Sequence, residues 1–392
     1  MTDPVPQAQG ELAERIRAEI RAHGPMPFAT FMARALYTPD LGYYTGPREK
    51  IGTGGDFFTS LDVHPAFGQL IGAQLIEMAD RLPDGPFTVV EMGAGKGLLA
   101  HDVLRTVQAA RPDLFARLTY AIVDVSPDLI ARQKQVLAGF AAHTRWYADL
   151  EQVPRVTGVF LSNELLDSLP HHQVVMTADG LREVFVEVRG DGFGEVLREP
   201  SDVRLNRVFE RLGITLPEGY RTEVNLAAEE WARQVSERLS IGYVLTIDYG
   251  YPADVYYRSD RRTGTFLCYH RHKVSEDPYS RVGEQDMTAH VDFSSVARAG
   301  EDAGLEVEGF TDQAHFLVGM GITRLMERVL ARDGGDPENS AEFQAMRKLM
   351  DPHGMGKAFK VLVQRKQVPA GGLSGVRFKA FDVSDLLGTT PR

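Results

Sequence analysis

Only one cysteine, Cys268, stands in the 392 residues, so no intrachain disulfide and no cysteine zinc cluster can form. No apolar run approaches the roughly 18 residues of a membrane span. Basic residues are outnumbered 43 to 54, for a net charge of −11, and the basic footprint of non-specific nucleic-acid binding is missing. The N-terminus, MTDPVPQAQGELAERIRAEI, is polar with acids among its arginines, and fits neither a signal nor a transit peptide. These absences lead us to expect a soluble cytoplasmic protein, with neither nucleic acid nor a membrane among its partners. A cationic substrate is still compatible, because an acidic cleft attracts one.

What is present is ordinary in bulk and informative in order. The 43% hydrophobic and 25% charged content suits a sizeable core, and the length suits two units. Apolar residues recur at helical spacing at Leu12, Ile16 and Ile20 and again from Phe28 to Leu36. A Pro- and Gly-rich stretch, YTPDLGYYTGPREKIGTGGDFFTS, follows; loops of that length are usually functional or disordered, and its aromatics argue against plain disorder. From residue 66 helix and strand patterns alternate: AFGQLIGAQLIEMADRL, FTVVEM, GLLAHDVLRTVQAA, LTYAIVDV, SPDLIARQKQVL and TGVFLSNE. Such alternation implies an α/β fold, a parallel sheet with helices on both faces. The expected division is an N-terminal helical segment and covering loop over 1–65 and a first core half over 66–172. An inserted β-hairpin and helical segment over 173–221 follows. A second core half with insertions then occupies 222–368, and a loosely ordered tail 369–392.

The stretch VVEMGAGKGLLA places Glu91, Gly93, Gly95 and Gly97 between a strand and a helix. This is E-x-G-x-G-x-G, not the G-x-G-x-x-G of dinucleotide sites. Its glycines allow a ligand close to the backbone at the carboxyl end of a strand, where open α/β sheets bind ligands. An anionic Glu91 suits a cationic amino group better than a phosphate, and S-adenosyl-L-methionine carries an ammonium and a sulfonium. A plain tight turn would also use glycine. Two further acids favour the cofactor: Asp124, after the next strand, can accept from both ribose hydroxyls, and Asp149 can accept from an adenine amino group. Each alone is more often a solvated loop acid or a helix cap, whereas three acids in this order at successive strand ends favour the cofactor.

The sequence resembles the MidA-like class I S-adenosylmethionine-dependent methyltransferases, which include a mitochondrial complex I assembly factor that methylates a protein arginine. The resemblance covers nearly the whole chain and rests on MPFATFMARALYTPDLGYY, GGDFFTSLDVHPAFGQLIG, EMGAGKGLLAHDVLR, SPDLIARQ, SNELLDSLPHHQ, IDYGY, CYHRH, GEQDMTAHVDF and DPHGMGKAFKVL. Related sequences often carry Pro-Glu within SLDVH and Phe-Phe at Leu165 and Leu166, differences on the acceptor side. The resemblance implies a Rossmann-like sheet with its last strand antiparallel, plus an additional helical and β lobe.

It also implies roles. Leu150 joins Asp149 at the adenine, and Thr59 and Ser60, in a segment folding over the cofactor, are polar contacts. Gly46 to Ser60 is expected to form a lid. Asn163, Glu164 and Asp167 end a strand facing the transferred methyl, and acids there suit a guanidinium, whose planar fork pairs with carboxylate. Asp167 reads alternatively as the cap of a short turn before Pro170. Asp248 and Tyr249, at another strand end, with Tyr269 and His290, are expected on the acceptor side. His270, His272, His290 and Asp292 match no zinc spacing, and Asp292 reads as an N-cap, so no metal is expected. The resulting function is methyl transfer to an arginine nitrogen of a partner protein. Small-molecule N- or O-methylation and a cofactor-binding assembly role without essential turnover stand as alternatives. A homodimer is left open.

Overall fold

The computed structural model describes residues 10–46 and 63–387. They form two compact units. The first takes the described residues of Met1–Phe57 with Leu166–Glu229 and Tyr251–Ser295; the second takes those of Phe58–Leu165, Glu230–Gly250 and Val296–Arg392.

Strands of the second unit are β1 (Phe87–Met92), β2 (Leu118–Val123), β3 (Thr144–Tyr147), β4 (Val156–Asn163), β5 (Leu239–Tyr251), β6 (Glu306–Asp312) and β7 (Phe359–Lys366). Their spatial order is β3-β2-β1-β4-β5-β7-β6. The first five run parallel, while β7 is antiparallel to both β5 and β6. Strands buried on both faces explain why FTVVEM and TGVFLSN read as apolar runs without alternation. Order reverses between β1 and β4, and ligands of open α/β sheets bind beyond the strand ends at such a point.

Helix Ala66–Ala79 lies against helix Leu98–Ala110 because two glycines let it approach. A Cβ on Gly68 would sit 2.6 Å from Asp102 Cβ, and one on Gly72 would sit 2.9 Å from Thr106 Cβ. Ser126 caps helix Pro127–Val136, its Oγ accepting from Leu129 N at 3.5 Å with Pro127 at the first helical position.

The first unit contains a five-stranded antiparallel sheet. Met26–Pro27 pairs with Gly180–Arg189, which pairs with His172–Thr177 and then Arg221–Val224; Gly192–Arg198 lies on the other side of Gly180–Arg189. The hairpin expected over 173–221 is therefore a meander in a larger sheet. The N-terminal helices Glu11–His23 and Phe28–Tyr37 share a core with it, Phe28, Phe31 and Met32 packing with Val186. Segments 166–229 and 251–295 thus join the N-terminal helices in one unit, which differs from the linear division read from composition.

The stretch after Pro369 also differs from the loosely ordered tail expected. Leu373, Val376 and Leu386 are buried. Glu77 accepts from Ser374 N, and Gln74 Oε1 accepts from Gly375 N at 2.9 Å. Glycine there serves close approach: a Cβ on Gly375 would lie 2.3 Å from the Phe316 ring. Composition reads Gly-rich as loose, whereas here it permits contact.

Candidate active site

The turn after β1 passes through positive φ at Gly93 (71°), Gly95 (51°) and Gly97 (81°), the left-handed region where a side chain is disfavoured. Gly97 is the N-cap of helix Leu98–Ala110. Around the turn the backbone is crowded: a Cβ on Gly93 would lie 3.1 Å from Leu165 Cδ1, and one on Gly97 3.3 Å from Gln133 Cγ.

Glu91, on β1 just before the turn, is 2% exposed, and its Oε2 accepts from Tyr120 O–H at 2.8 Å. Burial disfavours its charged form and pushes the carboxyl up to about 7, opposed by the Tyr120 hydrogen bond. Burial thus favours the protonated form of Glu91 in the free protein more than the anionic group read from sequence implies. A buried carboxyl poised in this way gains most from an incoming cation, which restores its charge.

Asp124, immediately after β2, is buried. Its Oδ1 accepts from Ser126 N at 2.9 Å, and its Oδ2 accepts from Gln133 Nε2 at 2.7 Å. These two bonds fix the orientation of the carboxylate. Asp149, after β3, is exposed and caps the turn Leu150–Gln152, accepting from Gln152 N and Gln152 Nε2, both at 2.9 Å. Leu150 beside it is buried. Glu91, Asp124 and Asp149 thus stand at the carboxyl ends of three neighbouring strands of one sheet. Thr59 and Ser60, and the Gly46–Ser60 lid beyond Gly46 itself, lie outside the described residues.

Where β4 ends, Asn163 is buried and donates from Nδ2 to Glu164 Oε1 at 3.1 Å. Its Oδ1 is buried and has no hydrogen-bond partner among the described residues. Glu164 has φ of 52°, uncommon for a residue with a side chain and often found at functional sites. The turn is held in place from β5: Glu164 N donates to Ile247 O at 3.0 Å, and Leu165 N to Asp248 Oδ2 at 3.1 Å. Asp248, expected on the acceptor side, is fully buried and also accepts from Tyr249 N at 2.8 Å. It therefore braces the Glu164 turn rather than opening into a crevice. The Tyr249 ring lies 4.0 Å from that of Phe359.

The remaining expected residues belong to the first unit. Asp167, in the turn Leu166–Ser168, is buried, and its carbonyl accepts from Ala289 N at 3.0 Å. Tyr269 pairs in register with Asp286. Burial, with Asp286 and Asp167 nearby, raises its hydroxyl above the usual tyrosine value. Tyr44 donates to Asp286 Oδ1 at 2.7 Å and stacks on Tyr37 at 5.4 Å; neither tyrosine was singled out by sequence reasoning. His290 lines a cavity of about 660 Å³ with Glu195, Arg221, Glu223, Phe266 and Tyr279. Asp292 is the N-cap it was read to be, accepting from Ser294 N at 3.0 Å and Ser295 N at 3.2 Å. Among the described residues no group of three or more His, Cys, Asp or Glu is placed to hold a metal.

The sheet order, the buried glutamate before a left-handed glycine turn and the aspartate after the next strand define a class I S-adenosylmethionine-dependent methyltransferase. The comparisons agree. A family model described as "Putative S-adenosyl-L-methionine-dependent methyltransferase" matches residues 70–311, and the chain belongs to that family. A crystal structure of a COG1565 superfamily member from Burkholderia thailandensis, bound to S-adenosyl-homocysteine, is similar. It has a TM-score of 0.84 and 36% identity, covering 96% of this chain and 97% of that one. The Drosophila melanogaster relative, named protein arginine methyltransferase NDUFAF7 homolog, mitochondrial, is 31% identical over 93% of this chain and 87% of its own. The human protein arginine methyltransferase NDUFAF7, mitochondrial, is 27% identical over 96% and 88%.

The expectation of a cytoplasmic protein is corrected by these relatives, which are named as mitochondrial. A polar N-terminus and a soluble composition were poor warrants, because a folded core has the same physical chemistry in either compartment. Among the described residues no helix is long and apolar enough to cross a membrane.

Proposed function

We propose that this chain transfers a methyl group from S-adenosyl-L-methionine to an arginine nitrogen of a partner protein. The similar curated proteins are named protein arginine methyltransferases, which supports that acceptor. The observation that carries the proposal is the end of β4. There, Glu164 is held in a left-handed conformation beside a buried Asn163 Oδ1 that lacks a partner among the described residues.

The residues present fit the cofactor: glycines give the turn its left-handed course, Glu91 is a buried acid suited to an ammonium, and Asp124 is a buried carboxylate, oriented by Ser126 N and Gln133 Nε2, of the kind that accepts from hydroxyls. When bound, the cofactor supplies an electrophilic methyl on a sulfonium. The acceptor guanidinium has a pKa above about 12 and offers no free lone pair at neutral pH. Glu164, accepting N–H bonds from it, draws positive charge onto the nitrogens it holds and leaves density on the remaining one, which gives up its N–H proton to solvent as it gains the methyl, so that the product is again a singly charged guanidinium. Asn163 Oδ1 can take another N–H and limit rotation of the fork. Asp167, three residues further on, is proposed as an additional carboxylate for the acceptor, tested separately by Asp167→Asn.

Glu164→Gln should lower methyl transfer at least about a hundredfold while the S-adenosyl-homocysteine dissociation constant stays within about twofold. Labelled cofactor added to cell extract, followed by mapping of the labelled product, reads both reaction and acceptor. Wild-type turnover by the variant, or label on a hydroxyl oxygen or a free metabolite, overturns the reading.

A further inference from the structure

Gln133 carries none of the roles assigned above, yet it is fully buried. It comes from helix Pro127–Val136, whose other residues described as buried are none. Its Nε2 donates to Gly95 O at 2.9 Å and to Asp124 Oδ2 at 2.7 Å, and its Oε1 accepts from Trp146 Nε1–H at 3.0 Å. The amide can sit only one way round. A carbonyl and a carboxylate only accept, and an indole N–H only donates, so flipping the amide would break every bond. One side chain therefore links the glycine turn after β1, the acid after β2 and the indole of β3.

We infer that Gln133 is a positioning residue for cofactor binding. It fixes the plane of the Asp124 carboxylate together with Ser126 N, and it holds the Gly95 carbonyl so that the turn keeps its left-handed course. The inference rests on the reading of Asp124 and Gly95 as cofactor-binding residues. Buried polar groups arranged in this way are costly unless each is satisfied, and a fully satisfied network specifies a single geometry.

The test uses calorimetric titration of S-adenosyl-homocysteine into the full chain, with thermal unfolding as a check on folding. Gln133→Glu keeps the size and the bond to Trp146 but faces the Gly95 carbonyl and the Asp124 carboxylate with no donor. It should raise the dissociation constant more than about tenfold. Protonation returns one donor to that variant, so its ratio to wild type should close as pH falls from about 8 to about 5.5. A merely structural role would not produce that closure. Gln133→Met, uncharged and of similar length, should weaken binding about fivefold or more with little pH dependence of the ratio, and it serves where the glutamate variant fails to fold. In turnover both should raise KM for the cofactor and leave kcat within about twofold.

Asp124→Ala and Gly95→Leu separate this inference from the reading beneath it. If both bind as wild type, the cofactor site is misplaced. If both lose binding while a folded Gln133 variant stays within about twofold of wild type, the positioning role is wrong and the site stands.

Discussion

At the residue scale the most consequential feature is a carboxyl that burial raises toward neutrality. Glu91 is raised by burial to about 7, so the free protein holds a proton there that an unfolded chain would release above about pH 4.5. The sign follows. The folded state binds more protons between about pH 4.5 and about pH 7, so this residue makes stability fall as pH rises through that window. The loss is complete above about 7. Glu91→Gln, which still accepts from Tyr120, should stabilise the cofactor-free protein at about pH 8 by up to about 3 kcal/mol, seen as a higher Tm. A cationic ligand pulls the other way. Affinity for S-adenosyl-L-methionine should weaken toward tenfold per pH unit below about 7, and Glu91→Gln should lack that slope. A flat pH profile of wild-type binding would remove Glu91 from the cofactor's charge.

At the scale of elements, glycine does opposite jobs in different places. In the turn after β1 it supplies left-handed backbone at Gly95, and Gly95→Leu is expected to abolish cofactor binding in calorimetry while far-ultraviolet circular dichroism stays unchanged. In helix Ala66–Ala79 it supplies proximity instead, since a Cβ on Gly68 would sit 2.6 Å from Asp102 Cβ. Gly68→Val should push the helices apart and cost about 1–3 kcal/mol in urea unfolding. Unchanged stability would mean that the helices part freely. The turn after β4 is a third kind of element, a non-glycine residue in a left-handed conformation braced by Asp248. Such strain persists only where surrounding bonds over-determine it.

For the whole molecule the relevant quantity is the charge of −11. A protein acceptor presenting arginine in a basic segment would be drawn to such a surface over several ångströms, and salt screens that attraction within about 8 Å at physiological strength. KM for a basic peptide acceptor should therefore rise several-fold between about 0.05 M and about 0.5 M salt, with the cofactor KM nearly unmoved. An acceptor KM indifferent to salt would argue for recognition by shape and direct contact alone.

The sequence by itself determined the local chemistry: the alternating elements, the E-x-G-x-G-x-G turn, the acids at strand ends and the Ser126 and Asp292 caps. These are legible because periodicity, φ preferences and capping act over a few residues. Only the tertiary structure decided what those groups face. It buried Glu91 and moved its titration, turned Asp248 from an expected acceptor contact into a brace for Leu165 N, and packed the Gly-rich end against Phe316. It also joined Met26 to Val186 in one sheet across a long separation in sequence. Gln133 shows the limit best. It closes the SPDLIARQ motif, but nothing local says what its amide meets, and its role arises only when three strands bring Gly95, Asp124 and Trp146 within hydrogen-bond reach. Desolvation and long-range partnership depend on which segments meet, and no short window of sequence encodes that.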